Sequence, residues 1–199
     1  LAEKGYAWVL SRYEINFVGE MPLIDEYFDV TTCHDPKHGY NTLRVFKVTL
    51  PDGKLIIEAK SSWLLVGIKA GRIVKALSHL PEIMTEAEDI NPDFREIADF
   101  DEVTGKIEIP VTYHALDYNS HVNNAVYFEW VYDALPDEFQ RRKLKSISAS
   151  FRSGLKRGEN AVLEFNAEAE NDIINFRLKR LTGEPDKKPS AFFSVEVKS

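Results

Sequence analysis

The sequence has little of what a secreted, metal-held or nucleotide-binding protein needs. Among 199 residues there is one cysteine, Cys33, so neither an intramolecular disulfide nor a cysteine-based zinc finger can form. No Asn-x-Ser/Thr sequon occurs, and the setting expected from this usage is reducing and cytoplasmic. No apolar run approaches the ~20 residues that span a bilayer, and the start, Leu1-Ala2-Glu3-Lys4-Gly5, lacks the basic and apolar stretches of a signal. A basic surplus is also missing. Lys and Arg number 25 against 32 Asp and Glu, a net charge of −7, which argues against nucleic acid or an anionic membrane surface. The elbow G-x-S-x-G, the Walker A loop, G-x-G-x-x-G, H-E-x-x-H and C-x-x-C are all absent, which excludes their hydrolase, nucleotide, zincin and redox chemistries as sequence-based readings.

What is present is apolar enough for one large core or two modest ones, with 44% hydrophobic and 12% aromatic residues. Residues 6–17 place Val9, Ser11, Tyr13, Ile15 and Phe17 on one side, a period-2 pattern that predicts a strand. Further strands are expected at 27–33, 40–50 and 54–67, with turns at 34–39 and at Pro51-Asp52-Gly53. The four read as an antiparallel meander. The stretch 82–102 then holds nine acids (Glu82, Glu86, Glu88, Asp89, Asp93, Glu96, Asp99, Asp101, Glu102) and one base, Arg95, a local net of −8. It reads as a solvated linker over 82–105, dividing a unit at 1–81 from a unit at 106–199.

In the second unit, strands are expected at 106–114, 144–151, 161–170, 173–181 and 190–197. Between the first two, HVNNAVYFEWVYDALP is apolar at 122, 125, 126, 127, 130, 131 and 134, the spacing of a helix that Pro136 ends. With Phe128 and Leu135 also apolar, such a helix must be covered on most sides, as by a sheet curled around it. The order strand, turn, acidic residue, strand recurs in YEINFVGEMPLIDEYFDV and ASFRSGLKRGENAVLEF, a weak internal repeat.

Cys33, His34 and His38 offer no fourth metal ligand, and His79 and His114 stand alone in sequence; no metal site is expected. The dense constellation is Asp117-Tyr118-Asn119-Ser120-His121-Val122-Asn123-Asn124, leading into the apolar helix. An acid, an amide and an imidazole converge there near a helix N-terminus, whose N–H groups stabilise negative charge. That arrangement suits hydrolysis of an acyl bond. Asx turns and helix capping by Asp117, Asn119 and Asn123 account for the same residues without chemistry, and composition alone leaves both readings open.

The segment DYNSHVNNAVYFEWVYDALP resembles the D-x-N-x-H-V-N-N-x-x-Y segment of the plant and bacterial acyl-acyl-carrier-protein thioesterases, including the Phe128-Glu129-Trp130 that follows. KSSWLLVGIKAGRIVKALSHLPE, with Ser61, Ser62, Trp63 and Arg72, is similar to the family's Trp-bearing strand, and GYAWVLSRYEI, with Trp8 and Tyr13, to the strand that opens its core. The resemblance implies an α+β double hot dog, two antiparallel sheets each wrapped on a central helix. It also implies residues before Leu1, because Leu1 to Lys4 reads as only the tail of the first helix.

The implied activity is hydrolysis of the thioester between a fatty acyl chain and the phosphopantetheine arm of acyl carrier protein, in fatty acid biosynthesis and without a cofactor. By position, Asp117 is implied as base or nucleophile, His121 as its partner in proton transfer and Asn119 as the group orienting water or carbonyl. Asn123, Asn124, Tyr127 and Trp63 are implied as substrate-binding. One departure stands out: Gly154 occupies the place of a glutamate in the family's Y-x-x-E-x-x-x-G segment, which leaves Glu159 as a substitute acid. Two alternatives follow, a coenzyme A thioesterase of the same fold and a non-catalytic acyl-binding protein. Carrier protein is acidic, and 141–157 supplies seven bases and no acid: Arg141, Arg142, Lys143, Lys145, Arg152, Lys156 and Arg157. A second copy of the chain is the other partner expected.

Overall fold

The computed structural model describes residues 1–81, 89–167, 172–181 and 188–198, with the backbone alone at 36–38. Contacts divide the chain into two compact units, Leu1–Arg95 and Glu96–Ser199. The division falls inside the stretch 82–105.

In the first unit, β1 (Tyr6–Phe17), β2 (Asp29–His38), β3 (Asn41–Thr49) and β4 (Leu55–Gly67) form an antiparallel sheet in the order β2-β3-β4-β1, and β5 (Arg72–Val74) extends it on β4. The expected meander holds for β2, β3 and β4 only. β1 pairs with β4 instead of β2, because the long connection over residues 18–28 is no hairpin and carries the chain across the sheet. A second correction concerns 34–39, expected as a turn. β2 continues through it, His34 and Asp35 pairing with Arg44 and Leu43, and the chain reverses at Gly39 and Tyr40. The polar letters mislead because Asp35 is fully buried and its carboxylate accepts the Ile90 N–H at 3.1 Å; tertiary satisfaction overrides local turn propensity. Helices are short here: α1 (Ala76–His79) covers Leu65 with Ala76 and Leu80.

Residues 89–104 carry no helix or strand, yet they are not a loose tether. Phe94 lies between the Arg12 guanidinium and the Lys60 ammonium, 5.5 and 4.6 Å from its ring centroid. Arg12 donates to the Arg95 carbonyl at 2.9 Å, and the Glu14 carboxylate accepts the Arg95 N–H at 3.0 Å. The acids of this part, Asp89, Asp93, Glu96, Asp99, Asp101 and Glu102, are exposed as a solvent-facing stretch requires, while side chains of the sheet bind its main chain. Glu82, Glu86 and Glu88 lie outside the described residues.

The second unit holds β6 (Gly105–Pro110), α2 (Asn124–Asp133), α3 (Asp137–Gln140), β7 (Leu144–Phe151), β8 (Asn160–Asn166), β9 (Ile173–Arg180) and β10 (Ala191–Val197). Its antiparallel sheet runs β7-β10-β9-β8-β6. Read as β8-β9-β10-β7, four of these strands repeat the order β2-β3-β4-β1, so the weak sequence repeat is a repeat of topology. β6 stops at Pro110, short of the expected 114, because proline has no N–H to continue the ladder. A 3-10 turn, Tyr113–Ala115, follows. α2 starts at Asn124, not at His121, and lays Tyr127 and Val131 into the core. Tyr127, Phe128, Phe151 and Phe193 pack as an aromatic cluster with ring centroids 5.7–6.5 Å apart. Cover is one-sided within this unit: Glu129 and Tyr132 are exposed, while Val126, Phe128 and Trp130 are half-buried.

Candidate active site

Two loops of the second unit meet at the N-terminus of α2. The first, from Ala115 to Asn123, is tied by its own main chain: the Asp117 N–H donates to the His121 carbonyl at 2.8 Å and the Asn123 N–H to the Ala115 carbonyl at 2.8 Å. Ser120 takes φ 61° at the reversal, a left-handed conformation rare outside glycine. The second loop, residues 152–159, joins β7 to β8 and lies alongside. The Val122 N–H donates to the Leu155 carbonyl at 2.9 Å, and His121 and Lys156 form an isolated β-bridge.

Asp117, Asn119 and His121 are brought together as expected. Asp117 Oδ1 accepts the main-chain N–H groups of Asn119 at 2.8 Å and of His121 at 3.2 Å, and Oδ2 faces the Asn119 side-chain amide at 3.4 Å. The Asx-turn reading of Asp117 is thus correct as geometry, and it leaves Oδ2 as the carboxylate oxygen with the weaker hold. His121 Nδ1 lies 2.9 Å from the Asn119 carbonyl oxygen. A carbonyl only accepts, so Nδ1 carries the proton and Nε2 of the neutral ring carries a lone pair.

Asn123 caps α2, its Oδ1 accepting the Ala125 N–H at 3.0 Å. Its main-chain carbonyl takes the Val126 N–H at 3.0 Å. Among the described residues the Asn124 N–H has no protein acceptor, and it is the first-turn donor left for an anionic ligand atom. Tyr127 is buried, and its hydroxyl oxygen accepts the Leu155 N–H at 3.1 Å. Burial pushes the phenol up to about 12 against the hydrogen bond from Leu155, so it stays protonated. Trp63 belongs to the first unit, where its indole N–H donates to the Ser61 hydroxyl at 2.8 Å.

Gly154 stands directly on His121. A Cβ at Gly154 would lie 3.0 Å from His121 Cδ2. The substitute acid, Glu159, is occupied by its own loop: Oε2 accepts the Lys156 N–H at 2.7 Å and lies 3.4 Å from Arg180 Nε. Arg180, which no sequence motif marks, also donates to the Gly154 carbonyl at 2.9 Å. It sits at the far end of β9, and only the sheet register brings it to the loop.

The seven bases of 141–157 do not form one patch. β7 separates Arg141 to Lys145, at and just before its start, from Arg152 to Arg157, beyond its end, and its two ends are roughly 23 Å apart at the rise of a strand. Arg142 is paired with Asp172, and Lys145 with Glu196 at 2.7 Å. Arg152, Lys156 and Arg157 are exposed and without an ion pair among the described residues; Arg152 rests over the Phe192 ring and Arg157 over the Tyr113 ring. No group of three or more metal-ligating side chains occurs among the described residues, and no helix there is long and apolar enough to cross a membrane.

Both units are similar to known proteins. Residues 1–85 match the family profile described as the acyl-ACP thioesterase N-terminal domain, and residues 99–192 match the profile of its C-terminal domain. A chloroplastic acyl-[acyl-carrier-protein] hydrolase of Cuphea viscosissima is 25% identical over 168 residues, 79% of this chain and 40% of that protein. The chain thus spans about two fifths of the length of that curated relative. The structure of an acyl-ACP thioesterase from Bacteroides thetaiotaomicron superimposes with a TM-score of 0.79 at 25% identity, over 100% of this chain and 79% of that one. The 12:0-ACP thioesterase of Umbellularia californica gives a TM-score of 0.83 at 16% identity over 99% and 75% of the two chains, a likeness of fold alone.

Proposed function

The chain belongs to the acyl-ACP thioesterase family, with its double hot-dog fold, and on that premise we propose that it hydrolyses fatty acyl thioesters of acyl carrier protein, releasing the free fatty acid. The observation that carries the reading is the intact loop: Asp117, Asn119 and His121 are held together at the capped start of α2, with the Nε2 lone pair of His121 available.

In the proposed reaction, water adds to the thioester carbonyl while His121 Nε2 takes its proton. The oxygen that becomes negative is received by the Asn124 N–H at the positive end of α2. Collapse expels the phosphopantetheine thiolate, which takes the proton from His121. Asp117 holds the loop through the two main-chain N–H groups and places a negative charge beside the imidazolium as it forms. Asn119 fixes the ring through its carbonyl. The acidic carrier protein is received by Arg152, Lys156 and Arg157, the bases at the site's end of β7, since Arg142 and Lys145 are neutralised by Asp172 and Glu196. A cytoplasmic setting and pairing with a second copy of the chain belong to the same proposal, the first resting on the single cysteine.

The test is thiol release from acyl carrier protein loaded with fatty acyl chains of several lengths. Stoichiometric free carrier thiol and fatty acid are expected; no release from any loaded carrier would overturn the reading.

A further inference from the structure

Among the described residues, and apart from the groups given a part in that reaction, Arg180 is a cation that reaches the site from the sheet. Its side chain is only 20% exposed, and its guanidinium is forked: Nη2 donates to the Gly154 carbonyl at 2.9 Å, and Nε faces Glu159 Oε2 at 3.4 Å. The same Glu159 oxygen accepts the Lys156 N–H at 2.7 Å. From a rigid strand, one guanidinium therefore hydrogen-bonds the Gly154 end of the loop 154–159 and faces its Glu159 end as an ion pair.

That loop is in contact with the imidazole. The position a Cβ of Gly154 would take is 3.0 Å from His121 Cδ2, so Gly154 backs the ring with its main chain. Gly154 has no side chain of its own to hold it there, and glycine's wide range of backbone conformations has to be restrained from outside. Further along, Leu155 is fixed by the Tyr127 hydroxyl and by the Val122 N–H. At Gly154 the restraint is the bond from Arg180.

We propose that Arg180 is a positioning residue for His121, holding the Gly154 carbonyl so that the loop fixes the orientation of the imidazole. The proposal rests on His121 as the proton acceptor of the reaction above. Arg180 touches no reacting atom; its effect passes through the loop to a ring that must keep Nε2 aimed at water, and small misplacements of such a group cost up to about 10²-fold.

The experiment uses the full chain with Arg180→Ala and Arg180→Gln, each followed by steady-state kinetics and by ¹⁵N spectra of the His121 ring. In a folded Arg180→Ala, kcat is expected to fall about 10- to 100-fold with KM within about twofold. Millimolar guanidinium is expected to restore a large part of kcat by occupying the vacated place, and the His121 nitrogen signals should shift in the variant and return with guanidinium. A structural role alone would not give rescue without a change in melting temperature. Wild-type kcat and unmoved His121 signals in either folded variant would overturn the proposal; should Arg180→Ala fail to fold, Arg180→Gln decides by the same readouts. If wild-type protein hydrolyses no thioester while the His121 signals still respond to Arg180, the proposed function fails and the positioning role stands.

Discussion

His121 Nδ1 sits 2.9 Å from the carbonyl oxygen of Asn119, two residues before it. This single contact decides the tautomer of the imidazole and thereby which nitrogen is available for proton transfer. Replacing His121 by Gln keeps a side chain that can bond to the same carbonyl but removes the base. Turnover is expected to drop about 10²- to 10⁴-fold with the melting temperature almost unchanged, as read by kinetics and circular dichroism. Activity within a few fold of wild type would assign the proton transfer elsewhere.

Asp117 offers a cleaner separation of geometry from charge. In Asp117→Asn the amide oxygen can still accept the Asn119 and His121 N–H groups, so the loop should persist while the negative charge is lost. We expect kcat reduced by about 10²-fold or more and a folded protein. Mass spectrometry of the quenched wild-type reaction should show no acyl adduct on Asp117; an adduct there would replace direct attack by water with nucleophilic catalysis.

Gly154 makes two variants informative as a pair. Any side chain brings a Cβ to 3.0 Å from His121 Cδ2, so Gly154→Ala should displace the ring and lower kcat several-fold. Gly154→Glu has the same steric effect and adds the acid found at this place in the family pattern. If the absent carboxylate limits the rate, Gly154→Glu exceeds Gly154→Ala by about tenfold; equal rates would show that the site works without it.

Arg177 anchors the irregular segment that opens the second unit. It pairs with Glu164 at 2.7 Å and with Asp99 at 3.0 Å, and it stacks on Phe100 at 4.4 Å. Burial would raise both carboxyls, but hydrogen bonds from Lys179 and Arg177 hold Glu164, and those from Arg177 and the Phe100 N–H hold Asp99, below their ordinary values. Depressed carboxyl values in the folded state mean stability that is complete above the unfolded range near pH 4 and lost as pH falls through the lower folded values. Denaturant melts at falling pH should show the wild type losing stability below about pH 4. Arg177→Ala should be less stable by about 1–3 kcal/mol at neutral pH and should lose less on acidification. A parallel acid limb in both proteins would contradict the clamp.

How much of this could be read from the sequence depended on whether the cause was local. Strands β1, β3 and β4 were legible because alternation and the Pro51-Asp52-Gly53 turn are local signals, the Gly53 N–H closing on the Leu50 carbonyl at 2.8 Å. The clustering of Asp117, Asn119 and His121 was legible because all three residues lie in one loop beside a helix start. The end of β2 was not, since Asp35 is held in its strand by Ile90, 55 residues away. The acids of 89–104 are exposed, as their letters suggest; that Arg12, Glu14 and Lys60 bind the segment's main chain was not legible, because those side chains lie far away in the sequence. The seven bases read as one patch because a sequence does not show that a strand carries them to opposite ends or that Asp172 and Glu196 pair with two of them. Arg180 was invisible for the same reason.

The most direct measurement is kcat/KM for wild-type protein on the same fatty acyl chain carried by acyl carrier protein and by coenzyme A. The account predicts hydrolysis of both thioesters, with the carrier-protein ester preferred by at least about tenfold at low salt and the preference shrinking as salt rises or when Arg152, Lys156 and Arg157 are replaced together. Turnover of the coenzyme A ester alone would contradict it.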